Sequence, residues 1–444
     1  MYNLEKELIE VFKNDDTFIK YNIRKEGKLL AKIFYIEGLV NIEKVGEIII
    51  KKFEDENSIY LFPNVKILTD INEIVDKIIN GSVIVFDYQK NNIVNLEIRS
   101  FFIRGINEPD NEKNIKGPRE GLIENIIVNT HLIRNRIKRN DLKIEYNNVN
   151  SDVHCKIAIM YLNKKVNSKA LRVLRQRIKN ITKINAIDTN LIKEQIKDHK
   201  YNPFNTIGDT QRPDVCATKL LEGKIILLLE GSPNALYLPF LFSENFQTID
   251  DYYTNFYYGS LNRFFRFVSF LITILFPGIY VSLLMFHQEL IPVKLLLSIS
   301  ASRKGVPFPT FFECVLLLTV FEVLREASTK SSGLLGNSLS IVGAIVIGQS
   351  AVEARIVSTS VVIVVAATSI TSLINPKLTG AAIIFRYFLL LLGTVLGLYG
   401  LLCGLLFIAI YLVKMKSFGG YYISKIMSFN IKDYKKTYMR VPND

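Results

Sequence analysis

Glu353 and Arg355 stand two residues apart between uncharged runs, and Ser358, Thr359 and Ser360 follow them. Charge in that setting can do one of two things. At a water-facing turn between antiparallel helices it is simply solvated. Repeated around the axis of an oligomer, it makes a ring of carboxylates and a ring of guanidiniums at the mouth of a pore. The next stretch carries a second pattern, with Ser358, Val361, Val362, Val365, Thr368, Ser369 and Ser372 recurring at helical spacing. Hydroxyls at the ends of a face and valines at its middle suit a hydrophobic gate that wets on opening. They equally suit hydroxyls that bond their own helix and pack against neighbours. Gly336, Gly343 and Gly348 in the preceding run permit close helix contact. Glu313 and Glu322 fall on a helix expected over 311–324, either an interfacial amphipathic helix or one whose carboxylates face a protein-lined cavity.

Other chemistries find less support. No P-loop, G-x-G-x-x-G, G-x-S-x-G or H-E-x-x-H occurs, and no acid, base and nucleophile constellation emerges, so an enzyme is not expected. His287 and Glu289 are two apart, which on a helix diverge, and no third ligand is near; neither metal nor other cofactor is expected. Cys155, Cys216, Cys314 and Cys403 form no C-x-x-C pair, which argues against a disulfide framework or a zinc site.

The elements that must position these residues divide the chain. A hydrocarbon core of roughly 30 Å needs about 20 apolar residues. Stretches 267–286, 334–352, 356–375 and 387–413 meet that length and are read as spans, the last long enough to tilt or kink. From Arg263 onward there are 17 Lys and Arg against 7 Asp and Glu, so most of the +13 net charge belongs to the apolar half, as an anionic membrane surface requires. The tail after Val413 is basic, and the N-terminus shows no apolar leader. Both termini are therefore expected in the cytoplasm, with four crossings and the glutamate helix lying in or dipping into the membrane. On that count Glu353–Arg355 would be a cytoplasmic turn. Tyr252, Tyr253, Tyr257 and Tyr258 with Arg263 and Arg266 suit the headgroup region before the first span.

Ahead of the spans, 32–53 and 156–179 each read as a strand and then an amphipathic helix, and 80–88 and 222–233 as later strands with turns before them. The expected fold is thus an α/β cytoplasmic N-terminal region of two similar small subdomains, 1–105 and 150–250, followed by an all-α polytopic transmembrane domain over 251–430 and a tail over 431–444. A connecting helical segment, 106–149, is expected to begin a helix at Pro118 and to end basic, at Arg134, Arg136, Lys138 and Arg139. Without aromatic interleaving, that end reads as a solvated bridge between subdomains and not as a nucleic-acid site.

The stretches "GPREGLIENIIVNTHLIRNRIKRNDLKIE", "QRPDVCATKLLEGKIILLLEGSPNALYLP", "FHQELIPVKLLLSISASRKGVPFPTFFECVLLLTVFEVLREAS" and "SLSIVGAIVIGQSAVEARIVS" occur in that order. In them the chain resembles the A subunits of bacterial spore germinant receptors, the GerA family. The resemblance implies a multi-pass protein of the spore inner membrane that works with a transporter-like B subunit and a lipoprotein C subunit. It also implies a ring of about five copies that passes cations. Arg355 stands where that family commonly has a small or neutral residue. A non-conducting scaffold that couples the nutrient-sensing subunit to downstream partners is the alternative.

Overall fold

The computed structural model describes residues 1–25, 27–46, 65–98, 117–149, 155–181, 188–330, 343 and 346–423. The chain forms two compact units, Met1–Lys200 with Thr206–Phe240 and Lys416–Gly420, and Tyr201–Asn205 with Leu241–Met415 and Tyr421–Asp444.

The first unit contains two five-stranded antiparallel sheets. β1 (Phe18–Lys25), β2 (Lys28–Ile36), β3 (Lys66–Ile67), β4 (Val83–Asp87) and β5 (Asn92–Leu96) lie in the order β1-β2-β4-β5-β3. β6 (Leu142–Val149), β7 (Cys155–Leu162), β8 (Gly208–Thr210), β9 (Ile225–Leu229) and β10 (Ala235–Leu238) lie in the order β6-β7-β9-β10-β8, the same arrangement a second time. β4 and β9, the central strands, are buried along their whole length, which is why Val83–Phe86 and Ile225–Leu229 read as continuous apolar runs. Helices α1 (Tyr2–Val11) and α2 (Ile71–Ile79) bury Leu8, Ile74 and Ile78 in the first core. α3 (Ile126–Arg136) and α6 (Pro213–Leu221) pack on β7 and β9. α4 (Ser168–Lys179) and α5 (Thr189–Ile196) bury Leu171, Leu174 and Ile192 in the second core.

Two expected boundaries move. The second sheet opens with β6 at Leu142, inside the segment assigned to the connector; β6 is an edge strand whose charged and amide residues hide its pattern. α3 begins at Ile126 and not near Pro118. Asn125 supplies the cap, accepting from the Ile127 and Val128 N–H groups at 2.9 and 3.2 Å, while Pro118 O accepts from Arg212. The helix expected after β2 is described over Ile42–Val45; its continuation lies outside the described residues.

The basic end of α3 is not a solvated face throughout. Arg134 is buried, and its Nη2 lies 2.6 Å from Asp15 Oδ2, also buried. Asp15 Oδ1 accepts from the Thr17 N–H and hydroxyl. Asp16 then covers the free edge of β6: its N–H donates to Ile144 O at 2.9 Å and its carboxylate accepts from the Tyr146 N–H at 2.7 Å. Lys143 Nζ donates to Val11 O at 2.6 Å, so the two subdomains are knit by polar groups.

His131, on α3 beside Gly38, has its pKa held below the usual 6.5 by burial. In the unfolded chain the imidazole binds a proton near its ordinary pKa; in the folded chain it does so only at lower pH. Stability of the first unit is therefore expected to fall as pH drops through 6.5 and to level off above it. Thermal melts between pH 5 and 8 should show the slope, and His131→Phe should flatten it.

In the second unit, α7 (Phe256–Phe286) leads to α8 (Val293–Arg303), α9 (Thr310–Lys330), a helical stretch at 346–353, α10 (Thr359–Leu373) and α11 (Thr379–Lys414). Among the described residues, two helices are long and apolar enough to cross a membrane, Phe256–Phe286 and Pro376–Lys414. α10 is shorter than the expected span over 356–375, and nearly all of 334–345 lies outside the described residues.

α11 is not the single span expected over 387–413. Gly397 adopts φ 62°, ψ −150° within it, and the chain folds back there. The Phe388 and Phe407 rings have centroids 5.8 Å apart; on one straight helix the same residues would be about 28 Å apart. The arms 379–396 and 398–414 are therefore antiparallel, and glycines line the seam. A Cβ on Gly404 would lie 2.5 Å from Leu389 Cδ2, and one on Gly400 would overlap Leu392 O.

Contacts give each helix a direction. Asn375 Nδ2 donates to Arg266 O at 2.7 Å near the start of α7, and the position of a Cβ on Gly397 touches Phe286 at its end. The first arm of α11 thus runs parallel to α7. α10 runs the other way, with the Thr273 hydroxyl donating to Thr371 Oγ1 at 2.9 Å and Val361 packing in one cluster with Val281. α9 also descends beside them, burying Leu317 and Leu318 in that cluster. It does not lie across the helix ends.

Candidate functional site

Residues from four helices meet around one carboxylate at the far end of the helical unit, where α7 finishes. Glu313, in the first turn of α9, has no exposed side-chain surface. Its Oε2 accepts from the Ser358 N–H at 2.7 Å and from the Ser358 hydroxyl at 2.8 Å. Ser358 is the N-cap of α10 but does not cap it with its own side chain. The glutamate supplies negative charge to that helix N-terminus from a neighbouring helix. Hydrogen bonds to a charged group contribute roughly 1.5–3 kcal/mol each. Arg303 Nε, at the end of α8, stands 3.7 Å from Glu313 Oε1. Ser302 Oγ lies 3.0 Å from Ser360 Oγ. Tyr280 of α7 is packed against the same cluster.

A second charged group lies toward the middle of the unit. Arg386, 1% exposed on α11, donates from Nη2 to Glu322 Oε1 at 2.7 Å, and Arg325 Nη2 is 2.5 Å from Glu322 Oε2. Glu313 therefore shares the buried face of α9 with Leu317, while Glu322 reaches across to α11. Sequence reasoning missed Arg386, Arg303 and Tyr280. Arg386 had a signal: a lone guanidinium in an apolar run requires a carboxylate partner on another helix.

The predicted gate residues pack within the chain's own helices. Ser358, Val361, Val365, Thr368 and Ser372 are buried, and Val362 and Ser369 half-buried, against the unit's own helices. Thr368 and Ser372 donate to carbonyls of their own helix. The outward face of α10 carries Ile363 and Ile370 instead. Helical spacing identified a face, but one copy already contains enough helices to bury it.

Glu353 and Arg355 are exposed at the turn between the 346–353 helix and α10. Gln349 Nε2 donates to Glu353 Oε1 at 2.9 Å. The turn closes the helix as a Schellman motif: the Ile356 N–H reaches Ala351 O at 2.9 Å and the Arg355 N–H reaches Val352 O at 3.0 Å. Because α10 runs back toward the start of α7, this turn lies at the far end, opposite to the end where α7 begins. The expected cytoplasmic turn on the α7-entry side is corrected by that direction. Arg355 has φ +53°, a left-handed conformation that costs a side-chain-bearing residue roughly 1–2 kcal/mol. Arg355→Gly is expected to raise the stability of the helical unit by that order, read as a higher melting temperature in detergent.

Gly343 makes a close helix contact, whereas Gly348 leaves room for a side chain. A Cβ on Gly343 would lie 3.1 Å from Leu324 Cδ2, and one on Gly348 would lie 3.9 Å from Val362 Cγ1. Gly336 lies outside the described residues. His287 and Glu289 follow the end of α7, so the turn brings them to 3.4 Å where a helix would have separated them. Among the described residues no group of three His, Cys, Asp or Glu is placed to hold a metal. Arg263 and Arg266 turn inward onto Asp251 at 3.1 and 2.9 Å and are not free for headgroups, whereas Tyr257 and Tyr258 are exposed.

The family model for the Bacillus/Clostridium GerA spore germination protein matches residues 4–444. Spore germination protein KA of Bacillus subtilis is 32% identical over 456 residues, covering 99% of this chain and 84% of that protein. Spore germination protein A1 of the same organism is 32% identical over 451 residues, covering 99% and 93%. The crystal structure of the N-terminal domain of the A subunit of the Bacillus megaterium spore germinant receptor GerK3 covers 54% of this chain and 94% of its own, at 25% identity and a TM-score of 0.39. With a match from residue 4 to residue 444 and relatives aligned along nearly its whole length, this chain belongs to the GerA spore germination protein family.

Proposed function

We propose that the chain is the A subunit of a nutrient germinant receptor in the inner membrane of a spore. It works there with a transporter-like B subunit and a lipoprotein C subunit, and several copies enclose a gated cation path. The observation that carries the reading is the outward surface of the helical unit. Val395, Leu402, Leu406, Ile363 and Ile370 are all more than half exposed, a surface suited to lipid or to other copies. In that setting α7, α9, α10 and the two arms of α11 run from one face of the membrane to the other, and the 346–353 helix finishes at the face where α7 ends. The start of α7 and the end of the second α11 arm then share a side, the cytoplasmic one.

The buried valine face moves the proposed channel wall to the 346–353 helix. Gln349, Ser350 and Glu353 are exposed there on one face. Polar groups at that spacing are unfavourable against lipid and suited to a shared aqueous path, with Glu353 and Arg355 at its far mouth. Purified receptor reconstituted in liposomes should pass cations when nutrient is added, and Glu353→Lys should depress that flux severalfold. Nutrient binding without any flux, in wild-type receptor, would leave the non-conducting scaffold.

A further inference from the structure

The carboxylate of Glu313 does more than fill a core. It holds the N-cap residue of α10 through two hydrogen bonds, and Arg303 brings the end of α8 to its other oxygen. Two further contacts tie the same pieces together. Ser302 meets Ser360 across α8 and α10. The Arg355 guanidinium lies over Gly305, where a Cβ would come 3.1 Å from Nη1. Gly305 (φ +90°) belongs to the connection between α8 and α9, so α8, that connection and α9 each touch α10 or the turn before it once.

Only one of these places has an apolar backing. Val357 and Val361 pack on Leu317 and Leu318, whereas α8 has no buried residue along its length. The side-chain hydrogen bond between α8 and α10 is that of Ser302 with Ser360, and no residue of α8 is fully buried beside it. A joint of that kind has two discrete states, made and broken, and a helix so weakly packed is the element that can move.

We propose that the Glu313–Ser358 and Ser302–Ser360 contacts form a lock between α8–α9 and α10, closed in the dormant receptor and released by nutrient. Glu313 is a positioning residue in this scheme: it fixes the start of α10, and through the turn it fixes the 346–353 helix. The inference rests on the channel reading above but concerns its control.

Cysteines at Ser302→Cys and Ser360→Cys, in the complete receptor of intact spores, test it. Their side chains already meet, so mild oxidation should join them without distorting the resting state. The oxidised pair is expected to slow nutrient-triggered potassium release at least tenfold, with dithiothreitol restoring it and either single cysteine behaving as wild type. Glu313→Gln, at matched membrane abundance, is expected to raise release without nutrient severalfold. A cross-linked pair that still responds at the wild-type rate would overturn the lock, since a merely structural contact tolerates being made permanent. Absence of potassium release from wild-type spores that do germinate would count against the channel reading alone. The lock is then decided by cross-linking rate: nutrient should slow disulfide formation between the two cysteines, and an unchanged rate refutes it.

Discussion

Arg134→Ala is expected to destabilise the first unit by about 3–5 kcal/mol, because it leaves Asp15 buried and unpaired. The loss should exceed that of any exposed pair, such as Lys13 with Glu10, whose removal is expected to cost under about 1 kcal/mol. Asp15→Asn should cost less than Arg134→Ala, since the amide oxygen can still accept from Thr17. Coupling between the two substitutions should be large, on the order of 1–3 kcal/mol in a double-mutant cycle. Hydrogen exchange at β1 and β6 in the full-length chain would locate the effect. Both edges should lose protection together, because Asp15 and Asp16 hold them side by side. Separate loss at one sheet would mean that the subdomains do not depend on this joint.

Gly400→Val should abolish the folded helical unit. A Cβ there overlaps Leu392 O, a backbone atom, so no rotamer change relieves it. Overpacking costs roughly 1–3 kcal/mol and occasionally more, and a backbone clash within a tight helical pair belongs at the upper end. The chain should be lost from membranes by about tenfold or more, measured by quantitative blotting. Gly380→Ala is the matched control, since a Cβ at that position meets nothing within 4 Å. A Phe388→Cys, Phe407→Cys pair should cross-link in membranes; failure to do so with both cysteines reactive would restore the single straight helix.

Much of the architecture was legible because burial writes simple patterns. β9 is apolar at every position and β4 at all but its last, Asp87, and α7 carries an uncharged stretch of membrane length. The doubled strand order follows from units that recur in the sequence with the same succession of strand, helix and strand. What could not be read is equally specific. β6 looks polar because its charged residues are held by partners elsewhere in the chain: Lys143 donates to Val11 O, and Glu145 accepts from Tyr161 and Arg175. The stretch 387–413 has no charge and no proline, so its reversal at Gly397 is marked only by a glycine, and a glycine in an apolar run also permits a tilt or a kink. Spacing marked Ser358, Val361, Val365, Thr368 and Ser372 as one face of α10 but could not say whether that face meets its own chain or another copy. Glu313 was visible as a charge, but its partner, Ser358, lies 45 residues away in sequence.

The reversal at Gly397 also constrains how the protein is made. The two arms have to be completed as a pair, because the seam glycines leave each arm without a filled side until the other arrives. A chain released before Gly404 would leave Leu389 and Leu392 without the surface they pack against.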